Sequence, residues 1–274
     1  MEITSWIRNV GNAVLDLIYP PGLYCNSCGK ITDDSRTYGL CNDCMAAAGW
    51  ITDRRCDKCG RPLSDNNSGS LCFACKETEH SSRPYSFDKG HACAAYGSVE
   101  QSVIFSFKYG ARSDIGDVLG EILYDRMISE YEPDVLAGIY DLVIPVPIYL
   151  EKKKKRGFNQ AAIMAESFAK RAGIACEAEA LRRVRNTEPM KGLNPEERMA
   201  NIGGAFEIRE RYHPQISDAR ILLIDDIYTT GATIDEIAGI LKKPWYDKAG
   251  GLHTGARSVD FLTYAAGADM IKSR

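Results

Sequence analysis

The sequence predicts an α/β protein: a parallel sheet with helices on both faces, preceded by a small cysteine-rich module. Three observations carry this expectation. Beyond residue 90, short branched apolar runs alternate with helical patterns, as crossover-connected parallel strands require. One run, Ile221-Leu222-Leu223-Ile224, is apolar throughout, as suits a strand covered on both faces. Before residue 80, eight of the ten cysteines form four Cys-x-x-Cys pairs.

Residues 1–21 come first. Ile3, Trp6, Ile7, Val10, Val14, Leu17 and Ile18 have helical spacing, and Pro20-Pro21 stops the helix. The segment reads as a short amphipathic helix packed on the body of the protein. Attachment to a membrane surface is the competing reading. Polar residues interrupt the apolar face, so a signal peptide is not expected. No run is long and apolar enough to span a bilayer, and the expected location is the cytoplasm.

Residues 22–80 hold the pairs Cys25/Cys28, Cys41/Cys44, Cys56/Cys59 and Cys72/Cys75. The second half repeats the first at an offset of 31 residues, and Gly29 and Gly60 obey the same offset. A Cys-x-x-Cys turn points two thiolates at one metal, and two such turns complete a closed tetrahedral site. Two structural zinc ions are therefore expected in a double zinc ribbon. The sequential assignment puts Cys25, Cys28, Cys41 and Cys44 on one ion, with Cys56, Cys59, Cys72 and Cys75 on the other. A cross-braced pairing of alternate turns stays open. So small and polar a region cannot rest on core burial alone, so metal binding would supply its folding energy. Cys93 and Cys176 sit among apolar or small residues and are expected in the core. Glu79 to Asp88 reads as a polar linker.

Residues 91–274 make the second domain. An edge strand is expected near residues 91–96, with helices at 99–108 and 115–128. Strands at 142–146, 221–225 and 258–264 then alternate with helices at 159–172 and 232–242. The basic run Lys152-Lys153-Lys154-Lys155-Arg156 follows a strand and precedes a helix, which places it at the ligand side of the sheet. It is either a polyanion contact or a solvated loop. Overall charge makes no such case, because the chain carries a formal net charge of −3.

The central run ends in Asp225-Asp226 and continues as Ile227-Tyr228-Thr229-Thr230-Gly231-Ala232-Thr233. The turn from Thr229 to Thr233 opens a helix, whose unpaired N–H groups and dipole favour an anion. Carboxylates repel phosphate, so the acid pair must face sugar hydroxyls or a cation. An ordinary strand-turn-helix with an N-cap threonine is the bland alternative.

This segment resembles the phosphoribosyl diphosphate (PRPP) motif of the type I phosphoribosyltransferases. The resemblance implies that Asp225 and Asp226 hold ribose, that Thr229, Thr230, Gly231, Ala232 and Thr233 hold the 5′-phosphate, and that Mg²⁺ accompanies PRPP. Some members carry an acid where Thr229 stands; its absence argues against that purine-salvage kind. Asp141-Leu142-Val143-Ile144-Pro145-Val146-Pro147, Arg156-Gly157-Phe158-Asn159-Gln160 and the cysteine module together resemble the ComF family of competence proteins, GntX-like predicted amidophosphoribosyltransferases. Met190 departs from the glutamine common in that family. Pro147, Arg156 and Arg198 become candidate contacts to pyrophosphate or another anion. The segment from Val184 to Asn201 would form a flap over the ligand, with Arg182, Arg183, Arg185, Lys191 and Arg198 able to reach its oxygens. Residues 244–253 look like an insertion, expected at the end of the sheet away from the ligand.

Two functions follow. One is transfer of a phosphoribosyl group with release of pyrophosphate, linked to DNA uptake in natural competence. The other is a non-catalytic factor that binds single-stranded DNA or a helicase, with PRPP or a nucleotide as regulatory ligand. Tyr24, Tyr38, Trp50 and Phe73 near the ribbons would be stacking surfaces for bases in the second case, or core residues.

Overall fold

The computed structural model describes residues 23–32, 38–52, 54–81, 83–110, 112–186 and 201–269. The helix expected at residues 3–18 and the central part of the expected flap, with Met190, Lys191 and Arg198, lie outside the described residues.

Two short ribbons lead the chain. In each, a Cys-x-x-Cys turn is closed by an antiparallel bridge, Tyr24 to Ile31 in the first and Arg55 to Pro62 in the second. A short helix then carries the second pair of cysteines: α1 (Asn42–Ala47) and α2 (Phe73–Glu79). All these features repeat at the sequence offset. Gly29 and Gly60 both take positive φ, 73° and 72°, directly after their cysteine turns.

The body follows as β1 (Gly90–Ala95), α3 (Ser98–Tyr109), α4 (Asp114–Ile128), α5 (Pro133–Ile139), β2 (Leu142–Pro145), α6 (Leu150–Arg156), α7 (Gln160–Ala172) and β3 (Ala175–Cys176). Next come β4 (Leu181–Arg183), β5 (Phe206–Ile208), α8 (His213–Ile216), β6 (Arg220–Tyr228), α9 (Ala232–Lys242), β7 (Trp245–Tyr246), β8 (Leu252–His253) and β9 (Ser258–Ala266). Five strands form one parallel sheet in the order β1-β9-β6-β2-β3. The strands and helices expected beyond residue 90 are present within a few residues of their predicted limits. The basic run is a short helix, α6, rather than an open loop.

β6 is central and alternates its side chains between two cores. Ile221 and Leu223 join Ile144, Phe261, Ile234, Ile237 and Leu241 on one face. Leu222 and Ile224 join Val143, Leu262, Leu119, Leu123 and Phe168 on the other. That explains its unbroken apolar run: each face needs its own branched residues. Truncating any of these four removes roughly 2–5 kcal/mol.

The ribbons straddle the sheet. The cysteines of the second pack in the α9 core, and Cys25 and Cys44 of the first pack in the α4–α7 core. The chain between them covers the open edge of β1: the Ile51 amide donates to the Cys93 carbonyl at 2.9 Å and the Ala95 amide to the Gly49 carbonyl at 2.7 Å. An otherwise unpaired edge strand is thereby protected. Close approach is secured by two glycines. A Cβ on Gly60 would lie 2.5 Å from the Gly90 carbonyl, and one on Gly90 would lie 2.2 Å from the Phe261 ring.

The stretch read as a polar linker is corrected in part. Phe87 is fully buried and stacks with Tyr85 and, edge-on, with Phe261. Two aromatic residues among eight polar or small ones gave no periodic signal, so their burial depended on the ribbon and β9 arriving from elsewhere. Cys93 is buried, as expected, and Cys176 is half-buried. Residues 244–253 contain a small antiparallel ribbon, β7–β8. It joins the end of α9 to the start of β9, where Trp245 stacks between His213 and His253. No helix among the described residues is long and apolar enough to cross a membrane.

Candidate functional site

In the sheet, β2 leads outward to β3 on one side and β6 leads to β9 on the other. The crevice between the carboxyl ends of β2 and β6 is thus the point where the winding reverses, the usual ligand position in such sheets. The acid pair lies near the carboxyl end of β6 there, two residues before the strand stops at Tyr228, and the loop with Pro147 follows β2. The Val146 amide donates to the Ile224 carbonyl at 2.9 Å, and the buried Asn159 side chain donates to the Val146 carbonyl at 3.1 Å. Asn159 therefore ties the Arg156-Gly157-Phe158-Asn159-Gln160 segment to the Pro147 loop.

Asp225 and the turn from Thr229 to Thr233 line one cavity of about 40 Å³. A single water needs roughly 10–15 Å³ by the same measure, so the hollow suits a compact anion rather than a base. Gly231 caps α9 with φ of 84°, and a Cβ there would meet the Tyr228 hydroxyl at 2.8 Å. Only glycine fits this turn without strain. The first N–H groups of α9 lack intrahelical partners by geometry, and Ala232, Thr233 and Ile234 line this opening.

Asp226 is only 8% exposed and is ion-paired with Lys108, from the last turn of α3. The Asp226 amide donates to Asp225 Oδ1 at 2.9 Å. Burial and the adjacent Asp226 charge push the Asp225 carboxyl up to about 8. Two acids side by side cannot both ionise freely, and one lysine only partly compensates.

The cations are unequally placed. Arg156 donates to Gln160 Oε1 at 3.2 Å, and its guanidinium lies 5.3 Å from the Tyr109 ring centre. Lys152, an exposed residue, is held below its ordinary value by partial desolvation of its ammonium and by Arg183 and Arg156. Arg183 is itself lowered by burial, against the attraction of Asp225. Arg182 instead pairs with Glu207 at 2.6 Å, and Arg185 donates to the Asn201 and Gly203 carbonyls at 3.0 and 2.6 Å. Sequence reasoning missed Lys108. Its signal was a lysine ending an amphipathic helix, which usually marks only a favourable dipole contact.

The eight cysteines form two clusters in the sequential pairing, Cys25, Cys28, Cys41, Cys44 and Cys56, Cys59, Cys72, Cys75. The cross-braced alternative does not fit these positions. Zn–S bonds of about 2.3 Å in a tetrahedron put sulfurs roughly 3.8 Å apart. The Cys28–Cys41 and Cys59–Cys72 sulfurs stand 3.6 and 3.7 Å apart. Burial pushes the Cys25 thiol up, but amides of Cys28, Cys41 and Ser27 outweigh it and bring it to about 6. Both donor sets fit zinc, each closed with no position for substrate. The second is fully buried; the first exposes Cys28.

Of the ribbon aromatics, Tyr38 and Trp50 pack 5.9 Å apart, and the Tyr38 hydroxyl donates to Asp125 at 2.7 Å. They hold the first ribbon to α4. An exposed aromatic pair lies elsewhere: Phe105 and Tyr109, 63% and 62% exposed, sit 4.9 Å apart beside Arg156.

A five-stranded parallel sheet with an acid pair at its switch point, braced by two four-cysteine ribbons, defines an α/β protein that carries a double zinc ribbon at its N-terminal end. Residues 14–76 match the family model of the Double zinc ribbon domain. The chain is similar to the DNA utilization protein YhgH of Escherichia coli, with 27% identity over 74% of this chain and 84% of the relative. It is likewise similar to Competence protein F of Haemophilus influenzae, at 27% over 75% and 85%. Competence protein ComFC of Bacillus subtilis is 24% identical over 71% of this chain and 74% of that protein. These homologues agree with the ComF resemblance carried by the motifs.

Proposed function

We propose that the protein binds PRPP or a related phosphoribosyl ligand with Mg²⁺, as a phosphoribosyltransferase-like protein of the ComF type. One observation carries the reading: the acid pair and the anion turn share the carboxyl end of the central strand, with a cavity of phosphate size at the turn. Thr229, Thr230, Gly231, Ala232 and Thr233 would hold the 5′-phosphate. Asp225 and Asp226 would face the ribose hydroxyls once Lys108 yields them. The Pro147 loop, Arg156 and Arg198 would take the pyrophosphate. In a transfer step, an acceptor's lone pair would attack the anomeric carbon and the bond to pyrophosphate would break. The acceptor's proton would be lost to water, and the leaving charge would fall to these cations. Titration calorimetry with PRPP and Mg²⁺ tests the reading. Heat with PRPP but not with ribose 5-phosphate alone is expected, and no heat with either sinks it.

A second reading rests on a different observation and on the names of the relatives. Phe105 and Tyr109 form an exposed aromatic pair beside Arg156 and the exposed Lys152 to Lys155 of α6. Stacking surfaces next to cations suit a single strand. The protein would then act in the cytoplasm on DNA in natural competence, with a helicase as partner. Anisotropy of a labelled oligothymidylate should show binding that weakens steeply with salt. Binding that is unchanged in Phe105→Ala/Tyr109→Ala removes this surface.

A further inference from the structure

The anion turn is gripped from behind by the second ribbon. Arg61 lies two residues past Cys59 and is 6% exposed. Its Nη2 donates to the Thr229 carbonyl at 2.6 Å and its Nη1 to the Ala268 carbonyl at 3.3 Å. Its guanidinium lies 5.0 Å from the Tyr228 ring centre. Tyr85, just after the ribbon, donates to the Thr230 carbonyl at 3.1 Å. Asp269 accepts from the Phe73 amide at 3.0 Å and from Asn67 at 2.9 Å, tying the chain after β9 to the same ribbon.

The first ribbon makes no such contact among the described residues. Its polar anchors run to the α4 side, through Tyr38 to Asp125 and Asn26 to Arg112. The two ribbons repeat the same cysteine spacing, but among the described residues only the second touches the turn.

No described peptide is cis. In a trans peptide the carbonyl and the following N–H point opposite ways. Holding the Thr229 and Thr230 carbonyls toward the ribbon therefore turns the Thr230 and Gly231 amides away from it. A guanidinium cannot shed its charge, and buried it must spend its donors on carbonyls. Such charge-assisted bonds are the strong kind.

We propose that Arg61 and Tyr85 are positioning residues, which aim the Thr230 and Gly231 amides into the anion cavity and make the second ribbon part of the binding site. The ligand part of this inference rests on the phosphoribosyl reading above. The grip itself does not.

The test uses the full zinc-loaded chain. Hydrogen exchange of residues 228–233 is followed by mass spectrometry in the wild type, Arg61→Met, Arg61→Lys, Tyr85→Phe and Tyr38→Phe, with zinc content measured for each. PRPP affinity is measured by calorimetry. Arg61→Met should speed exchange of the turn and weaken PRPP by about 10–100-fold, the worth of a hydrogen bond to a charged group. Arg61→Lys should restore part of both. Tyr85→Phe, which lies outside the ribbon and its cysteines, should act in the same direction by a smaller factor. Tyr38→Phe, on the first ribbon, should change neither. Unchanged exchange and affinity in Arg61→Met and Tyr85→Phe with zinc retained would overturn the proposal, as would an equal loss in Tyr38→Phe. If the wild type binds no PRPP while Arg61→Met still loosens the turn, the grip stands and the phosphoribosyl reading fails.

Discussion

Lys108 closes an ion pair onto Asp226 from the end of α3, so a cation from a remote helix already offsets part of the charge of the acid pair. Both partners are largely buried, and removing one strands the other. Lys108→Met should lower unfolding free energy by about 3 kcal/mol at pH 8, as breaking buried pairs does. Lys108→Met/Asp226→Asn should recover most of the loss. Urea denaturation of the set decides it; additive losses would show that the pair is not coupled.

Asp225 sets a pH dependence of opposite sign to most acids. Its folded carboxyl titrates at about 8, against roughly 3.9 when unfolded. The folded state then holds the extra proton between those values, so stability falls as pH rises from about 4 to about 8. Asp225→Asn removes the penalty. Its Tm should exceed the wild type's by several degrees at pH 9 and match it at pH 4. A constant difference across that range would place the titration elsewhere.

Glu130 behaves in the ordinary sense. Burial raises its carboxyl, but His91, Arg126 and Arg55 outweigh that and hold it at about 2. Its Oε1 meets Arg55 at 2.6 Å and Arg126 at 2.5 Å, binding the second ribbon to α4. The depressed value contributes stability above about pH 4 that is lost as pH falls toward 2. Glu130→Gln should cost about 2–4 kcal/mol at pH 7 and almost nothing near pH 2. Thermal melts across that range check it.

Gly231→Ala should strain the turn twice, through its positive φ and through the Tyr228 hydroxyl. A loss of about 1–3 kcal/mol in stability is expected; on the phosphoribosyl reading proposed above, PRPP affinity should also fall by more than tenfold. A variant that binds PRPP normally would mean the turn does not carry the phosphate.

Chelation should release zinc in two steps. The first cluster exposes Cys28, whereas every cysteine of the second is buried. A colorimetric zinc indicator should report a fast half and a slow half. Loss of far-UV helicity from the body should be larger in the slow half, because all four cysteines of the second ribbon pack in the α9 core, against Cys25 and Cys44 alone of the first fully buried in the α4–α7 core. Simultaneous release would contradict the difference in access.

Much of this protein was settled by sequence alone. The cysteine repeat dictated two related four-cysteine units, because ligand spacing is a local property, and left the pairing of turns to the structure. The unbroken apolar run of β6 dictated a strand buried on both faces, and Asp225 to Thr233 lie on consecutive residues, so their proximity needed no folding to see. What the tertiary structure decided is how remote pieces meet. Lys108 reaching Asp226, Arg61 reaching Thr229, the ribbon linker sealing β1 and Phe87 entering the core all join residues distant in the chain. Hydrophobic periodicity reports only which face is buried, not which partner covers it, and two sequence-equivalent ribbons became inequivalent because the sheet offers each a different face.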